Sequence, residues 1–165
     1  MKRVLIAYVT KTNTTKEAAA EIRQVLEAQG FLTDVLPIAD VASLTEYQAV
    51  IVGAPINGMN WHPDATAFVT RFQQELNAVP TSFFLVSYLL FTGCDFWKKI
   101  IRKRLDKVSA LVKPVSVGMF GGRIEKPFPA FPRFMFGVKK GAPIDVTNLE
   151  DVRAWALDWT NKVEK

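Results

Sequence analysis

Six consecutive residues, Thr10-Lys11-Thr12-Asn13-Thr14-Thr15, bring four hydroxyls, an amide and an ammonium into one stretch. The apolar, β-branched-rich run Val4–Val9 ends just before it, and apolar residues at helical spacing (Ala18, Ala19, Ile22, Val25, Leu26) begin just after it. A polar loop between a strand and a helix offers backbone N–H groups, hydroxyl donors and the positive end of a helix dipole to one anion. Phosphate is the anion that chemistry fits best. The same residues also suit a plain helix cap. The loop lacks the Gly-Lys-Ser/Thr ending of a P-loop and the spaced glycines of a dinucleotide fingerprint.

Other residues invite chemistry less strongly. His62 is the single histidine, and it precedes Pro63, so it either takes part in a reaction or caps the helix that Pro63 opens. Cys94 sits at a loop–helix junction, where a thiolate gains stabilisation, yet no CxxC motif or second histidine accompanies it. No cluster of His, Cys or carboxylates has metal-ligand spacing, and no Ser-His-Asp set is suggested.

The elements that must position the loop alternate along the chain. Strands are expected at Val4–Val9, Phe31–Ile38 (ended by Pro37), Ala49–Ala54 (closed by Pro55), Thr81–Leu90 and Val115–Phe120. Helices are expected over Thr15–Gln29, Pro63 to about Val79, Asp95–Val112 and a final segment opened by a Thr147–Glu150 capping box. That last helix carries an inner stripe of Leu149, Val152, Trp155, Ala156 and Trp159. Asp40–Tyr47 reads as a short helix or loop. Such alternation predicts an α/β fold with a parallel sheet and helices on both faces. Ligands in open sheets of this kind bind beyond the carboxyl ends of the strands, here the loops at 10–15, 55–62, 88–94 and 121–126.

At 165 residues, 49% apolar and 22% charged, the chain is read as one globular domain spanning 1–165. No apolar run reaches the ~18 residues of a membrane span. Met1-Lys2-Arg3 and the run after it are too short for a signal peptide and lack its small-residue cleavage site. A cytoplasmic setting fits the single cysteine. A net charge of +5 points to an acidic ligand, an acidic partner or an anionic membrane surface, or serves solubility alone. No nucleic-acid partner is expected, and the oligomeric state stays open, a dimer included.

The loop at Thr10–Thr15 resembles the phosphate loop of flavodoxins, Thr/Ser-x-Thr-Gly-x-Thr. Thr10, Thr12, Thr14 and Thr15 keep the hydroxyls, while Asn13 stands in the glycine position. Asparagine tolerates the left-handed backbone that the glycine supplies better than most residues do. The segment Gly53–His62, the loop Gly121-Gly122-Arg123 and the ending Asp145–Trp159 resemble the branch of the flavodoxin-like superfamily that includes menaquinone-dependent protoporphyrinogen dehydrogenase. The resemblance implies a three-layer fold with a five-stranded sheet in the order 2-1-3-4-5, and flavin mononucleotide (FMN) as cofactor. It also assigns parts. Thr10, Lys11, Thr12, Asn13, Thr14 and Thr15 would hold the phosphate. Pro55, Ile56, Asn57, Gly58, Met59 and Trp61 would lie along one side of the flavin, and Ser87, Tyr88, Leu89 and Gly93 along the other. Gly121, Gly122 and Arg123 would form the fourth loop. A carbonyl in the Asn57-Gly58 stretch would turn toward flavin N5, a flip that glycine makes cheap. Trp61 and Tyr88 are each either a stacking ring or a plain core or rim aromatic.

Charge separates two flavin roles. Lys98, Lys99, Arg102, Lys103, Arg104 and Lys107 crowd one helical segment. Cations near a flavin favour its anionic reduced form, each by up to ~1 kcal/mol at a few ångströms in water. This favours two-electron exchange with an organic, quinone- or porphyrinogen-like substrate over a low-potential electron carrier. The alternatives are a flavodoxin-type electron-transfer protein and a flavodoxin-like binding module without flavin. A receiver domain is disfavoured, since Tyr8-Val9-Thr10 ends the first strand without an acidic pair. The segment Lys126–Lys140 interleaves prolines and phenylalanines, which argues against a regular helix early in it. It reads as a lid, a substrate-binding loop, a peripheral contact with the inner membrane face, or a loop whose phenylalanines fill the core.

Overall fold

A computed structural model describes residues 2–57, 59–125 and 129–164. Its strands are β1 (Arg3–Tyr8), β2 (Leu32–Pro37), β3 (Ala49–Asn57), β4 (Asn60–Trp61), β5 (Thr81–Val86) and β6 (Val117–Phe120). Its helices are α1 (Thr14–Ala28), α2 (Pro63–Arg71), α3 (Gln73–Ala78), α4 (Leu89–Thr92), α5 (Asp95–Arg104), α6 (Asp106–Leu111), α7 (Ala130–Met135) and α8 (Leu149–Val163). The five parallel strands lie in the order β2-β1-β3-β5-β6, the path expected from the sequence. The chain first moves from β1 to β2 on one side and then returns to place β3 on the other. The loops after β1 and β3 therefore part at the switch point, where a ligand crevice opens.

Both faces of the sheet are covered, which is why its central strands are apolar without alternation. Val4 and Ile6 face α1 and α8, where Ala19, Ile22, Leu26, Ala156 and Trp159 are buried. Leu5 and Ala7 face the opposite layer, with Ala65, Phe68 and Val69 of α2 and Ile101 of α5. Between β3 and β5 the fit is close. Gly53 pairs with Phe84, and a Cβ on Gly53 would stand 1.9 Å from Phe84 Cζ. The ring lies across the glycine.

The structure departs from the sequence expectations at several boundaries. Pro55 does not close β3. The β5 ladder ends at its partner Val86, so a missing N–H there costs little. The strand continues to Asn57 and folds back on β4, a short antiparallel addition that the sequence did not suggest. β5 stops at Val86 because Ser87 Oγ accepts from Leu89 N at 3.3 Å and turns the chain into α4, so Leu89 and Leu90 are helical. The helix from Pro63 kinks at Phe72 (φ −104°, ψ 24°), where the Phe68 and Phe72 rings meet at 4.9 Å. A tighter turn at Leu105 likewise divides α5 from α6. Asn148, not Thr147, caps α8: its Oδ1 accepts from Glu150 N at 3.0 Å, because the Thr147 hydroxyl is donated to Asp145 at 2.6 Å. In the stripe of α8, Val152, Ala156 and Trp159 are buried, whereas Leu149 faces solvent.

The Pro/Phe-rich segment does contain a helix, α7. Pro129 caps it and Pro132 falls in its first turn, where a missing N–H leaves no intrahelical bond unmade. Phe131 and Phe134 do not fill the core; both are exposed. Lys126, Pro127 and Phe128 lie outside the described residues.

Candidate functional site

β1 delivers the threonine loop to the switch point. Val9 N donates to Gly53 O at 2.9 Å, and this bond ties the start of the loop to β3. The loop then turns into α1 through Asn13, which has φ 60° and ψ −11° in the left-handed region. Only glycine and, at modest cost, asparagine or aspartate occupy that region routinely. The Thr12 and Thr14 hydroxyls bond each other at 2.6 Å. Thr14 and Thr15 are buried in the first turn of α1, whose leading N–H groups have no acceptor within the helix. Among the described residues, Thr10 Oγ1 alone is a buried side-chain polar atom with no hydrogen-bond partner. Buried hydroxyls without partners are rare, and this one marks a place where an acceptor or donor belongs.

Beside the loop lies a cleft of about 310 Å³. All four loops singled out by topology contribute to it: Lys11, Thr12 and Thr14 from the first, and Pro55, Ile56 and Met59 from the second. Ser87, Tyr88 and Leu89 come from the third, Gly122 and Arg123 from the fourth. Thr12, Thr14 and Lys11 stand in one loop of the wall, and the rest is mainly apolar, with Ser87 and Arg123 as its polar exceptions. The structure adds Val86, Ile124 and Phe136, which sequence reasoning did not single out. Phe136 was visible only as one phenylalanine among many.

The remaining candidates sit elsewhere. Thr10 and Asn13 open on an adjoining hollow beside Lys16 and Pro37. Asn57 borders a third hollow between α2 and α6. Trp61 is a core residue: its Nε1 donates to Ala54 O at 3.2 Å, and its ring meets Phe83 at 5.4 Å. Of the two aromatics considered for stacking, it is Tyr88 that lines the cleft, with its hydroxyl donated to Pro143 O. Gly93 and Gly121 serve backbone approach. Added Cβ atoms would lie 2.7 Å from Leu89 O and 1.8 Å from Val146 O. Gly58 lies outside the described residues.

The fourth loop is clipped in place. Gly122 O accepts from Val146 N at 3.1 Å and Ile124 N donates to Ile144 O at 3.0 Å. Arg123 Nε bonds Asp145 Oδ2 at 2.7 Å, and its other nitrogens reach Glu17 of α1 at 3.4 Å. Asp145 also accepts from the Thr147 hydroxyl and N–H. These two bonds, followed by Arg123, hold the carboxyl well below its ordinary value, at about 2. The Arg123 charge at the cleft rim is thus opposed by two carboxylates.

His62 acts as the cap of α2, its Nδ1 accepting from Asp64 N at 3.3 Å. Cys94 is exposed at the start of α5, with its N–H donated to Phe136 O at 3.2 Å. Among the described residues, no group of three His, Cys, Asp or Glu is placed to hold a metal ion. No described helix is long and apolar enough to cross a membrane.

Solved structures of similar fold are flavodoxins. A Streptococcus pneumonia TIGR4 flavodoxin aligns with a TM-score of 0.60 at 17% identity, covering 98% of this chain and 99% of its own. Two-electron reduced Megasphaera elsdenii flavodoxin gives 0.58 at 14% identity, over 94% and 98%. Fusobacterium nucleatum flavodoxin bound to flavin mononucleotide gives 0.53 at 15% identity, over 99% of both chains. No curated protein matches the sequence. A flavodoxin-domain family model matches residues 5–142, and the chain belongs to that family.

Proposed function

We propose that the four-loop crevice binds FMN and that the chain is a flavoprotein oxidoreductase. The observation that carries this reading is the buried Thr10 hydroxyl without a partner, in the loop that separates the crevice from the hollow adjoining it. It lies in a loop whose glycine-position residue, Asn13, takes the left-handed turn. A phosphate would accept from Thr10, from neighbouring hydroxyls and from the free N–H groups opening α1. Tyr88, Ile56, Met59 and Leu89 line the apolar part of the cleft, where an isoalloxazine would lie. The similar Fusobacterium nucleatum protein is a flavodoxin bound to this nucleotide.

When bound, FMN supplies two-electron or one-electron chemistry that no side chain offers. The chain's own residues would hold the phosphate, shield the ring from water and set its potential. Cations at Lys11 and along α5 favour two-electron exchange with an organic, quinone- or porphyrinogen-like substrate. The second reading, a one-electron carrier, is favoured by the flavodoxin family itself.

Titration of the flavin-free protein with FMN tests the cofactor. Saturable 1:1 quenching of flavin fluorescence is expected, and a colourless protein that leaves the fluorescence unchanged refutes the reading. Steady-state turnover of the FMN-loaded protein with quinones and reduced nicotinamide nucleotides then separates the two roles. Turnover supports the enzyme; rapid one-electron exchange without turnover supports the carrier.

A further inference from the structure

Four large apolar side chains protrude together from α7 and α5: Phe131 is 78% exposed, Phe134 87%, Phe96 65% and Met135 46%. On α7, Phe131, Phe134 and Met135 are spaced i, i+3 and i+4 and share one face. The two helices are fastened to each other. Trp97 Nε1 donates to Met135 O at 2.6 Å, and the Trp97 ring contacts Phe96 at 5.4 Å and Phe136 at 5.1 Å. Phe96 thus packs on the ring that joins α5 to α7. Clustered exposure of this kind marks an interaction surface.

The stretch of sequence that carries both helices is strongly basic. Residues 91–140 hold 12 of the 21 Lys and Arg but 3 of the 16 Asp and Glu. That segment therefore carries +9 and the remainder −4, against +5 for the chain. Lys99 and Lys103 follow Phe96 at i+3 and i+7 on the same face of α5. Arg133 lies within α7, and exposed Lys139 and Lys140 follow its end.

We propose that this face docks on the surface of an anionic lipid bilayer. The phenylalanines enter the boundary between headgroups and acyl chains, and the surrounding cations lie among the phosphates. A protruding apolar cluster carried on two helices among cations suits a bilayer, which yields around it, better than a rigid protein pocket. Each cation near such a surface adds to the attraction, and salt screens it. Docking brings lipid near the crevice, because Phe136, next to Met135, lines it. The proposal does not depend on flavin.

The test sediments the full chain with vesicles of phosphatidylcholine, with and without phosphatidylglycerol. Binding is expected to the anionic vesicles, to weaken at high salt, and to fall roughly tenfold or more in Phe131→Ser/Phe134→Ser. Leu157→Ser, at an exposed leucine of α8, should bind as the parent does. Equal or absent binding to both vesicle types overturns the proposal, as does undiminished binding of the double variant. A dimer that the double variant dissociates also overturns it, since a second copy then covers the face. So does capture of an acidic protein in preference to anionic vesicles.

Discussion

Asn13 and Thr10 divide the work of the first loop between backbone and side chain. Asn13 holds φ at 60°, a conformation costing ~1 kcal/mol for a residue with a Cβ. Asn13→Gly should therefore keep or raise stability and leave FMN binding intact, whereas Asn13→Val should lower both. Thermal unfolding and flavin-fluorescence titration read the two effects. Thr10→Val is the more discriminating change. It replaces a buried hydroxyl that lacks a partner with a methyl of the same shape, so the protein without ligand should be as stable or up to ~1–2 kcal/mol more stable. FMN affinity should fall by about 1 kcal/mol, roughly fivefold. A variant less stable without ligand, or one of unchanged affinity, would show that the hydroxyl serves the fold and not a phosphate. The composition of this loop was legible in the sequence; the isolation of one hydroxyl was not. Hydrogen-bond satisfaction depends on what the fold brings near, and no local pattern records it.

At the scale of elements, sequence periodicity carried the alternation of strands and helices because each central strand is buried on both faces. It failed at local turns that an apolar run does not announce. Ser87 turns the apolar run Thr81–Leu90 into α4, and the β3 extension past Pro55 exists because it finds β4. The close passage of Phe84 over Gly53 was equally hidden. Gly53→Ala should cost about 3 kcal/mol in urea unfolding, and Phe84→Leu introduced with it should recover part of the loss by clearing the added methyl. The clip on the fourth loop titrates. Asp145 is shifted from 3.8 to about 2 on folding, so its stabilisation is complete above pH 4 and fades as pH falls toward 2. Because Asp145 and Arg123 are both solvent-accessible, the contribution is about 0.5 kcal/mol. The difference in urea midpoint between the parent and Asp145→Asn should be constant from pH 7 to pH 5 and vanish near pH 2.

The molecule as a whole is polarised, with the cations of residues 91–140 set against a mildly acidic remainder. Net charge alone told this only as +5, because the total averages two regions of opposite sign. Charges next to the crevice cancel: Arg123 and Lys11 stand against Glu17 and Asp145. The influence on a bound flavin therefore comes from the more distant basic face. A unit charge ~15 Å away in water contributes about 0.3 kcal/mol, or roughly 12 mV for one electron. The segment 95–107, with Lys98, Lys99, Arg102, Lys103, Arg104 and Lys107 against Asp95 and Asp106, carries +4, which at that range sums to about 50 mV before screening. The screening length shrinks from about 30 Å at 0.01 M salt to about 3 Å at 1 M. The midpoint potential of bound FMN should accordingly fall by tens of millivolts between those salt concentrations, since salt removes the cations that favour the reduced anion. A carrier with acidic surroundings would move the other way, because salt would relieve repulsion. Potentiometric titration at the two salt concentrations decides between them by sign. Lys99→Glu/Lys103→Glu, on the basic face of α5, should lower the potential at low salt and have little effect at high salt.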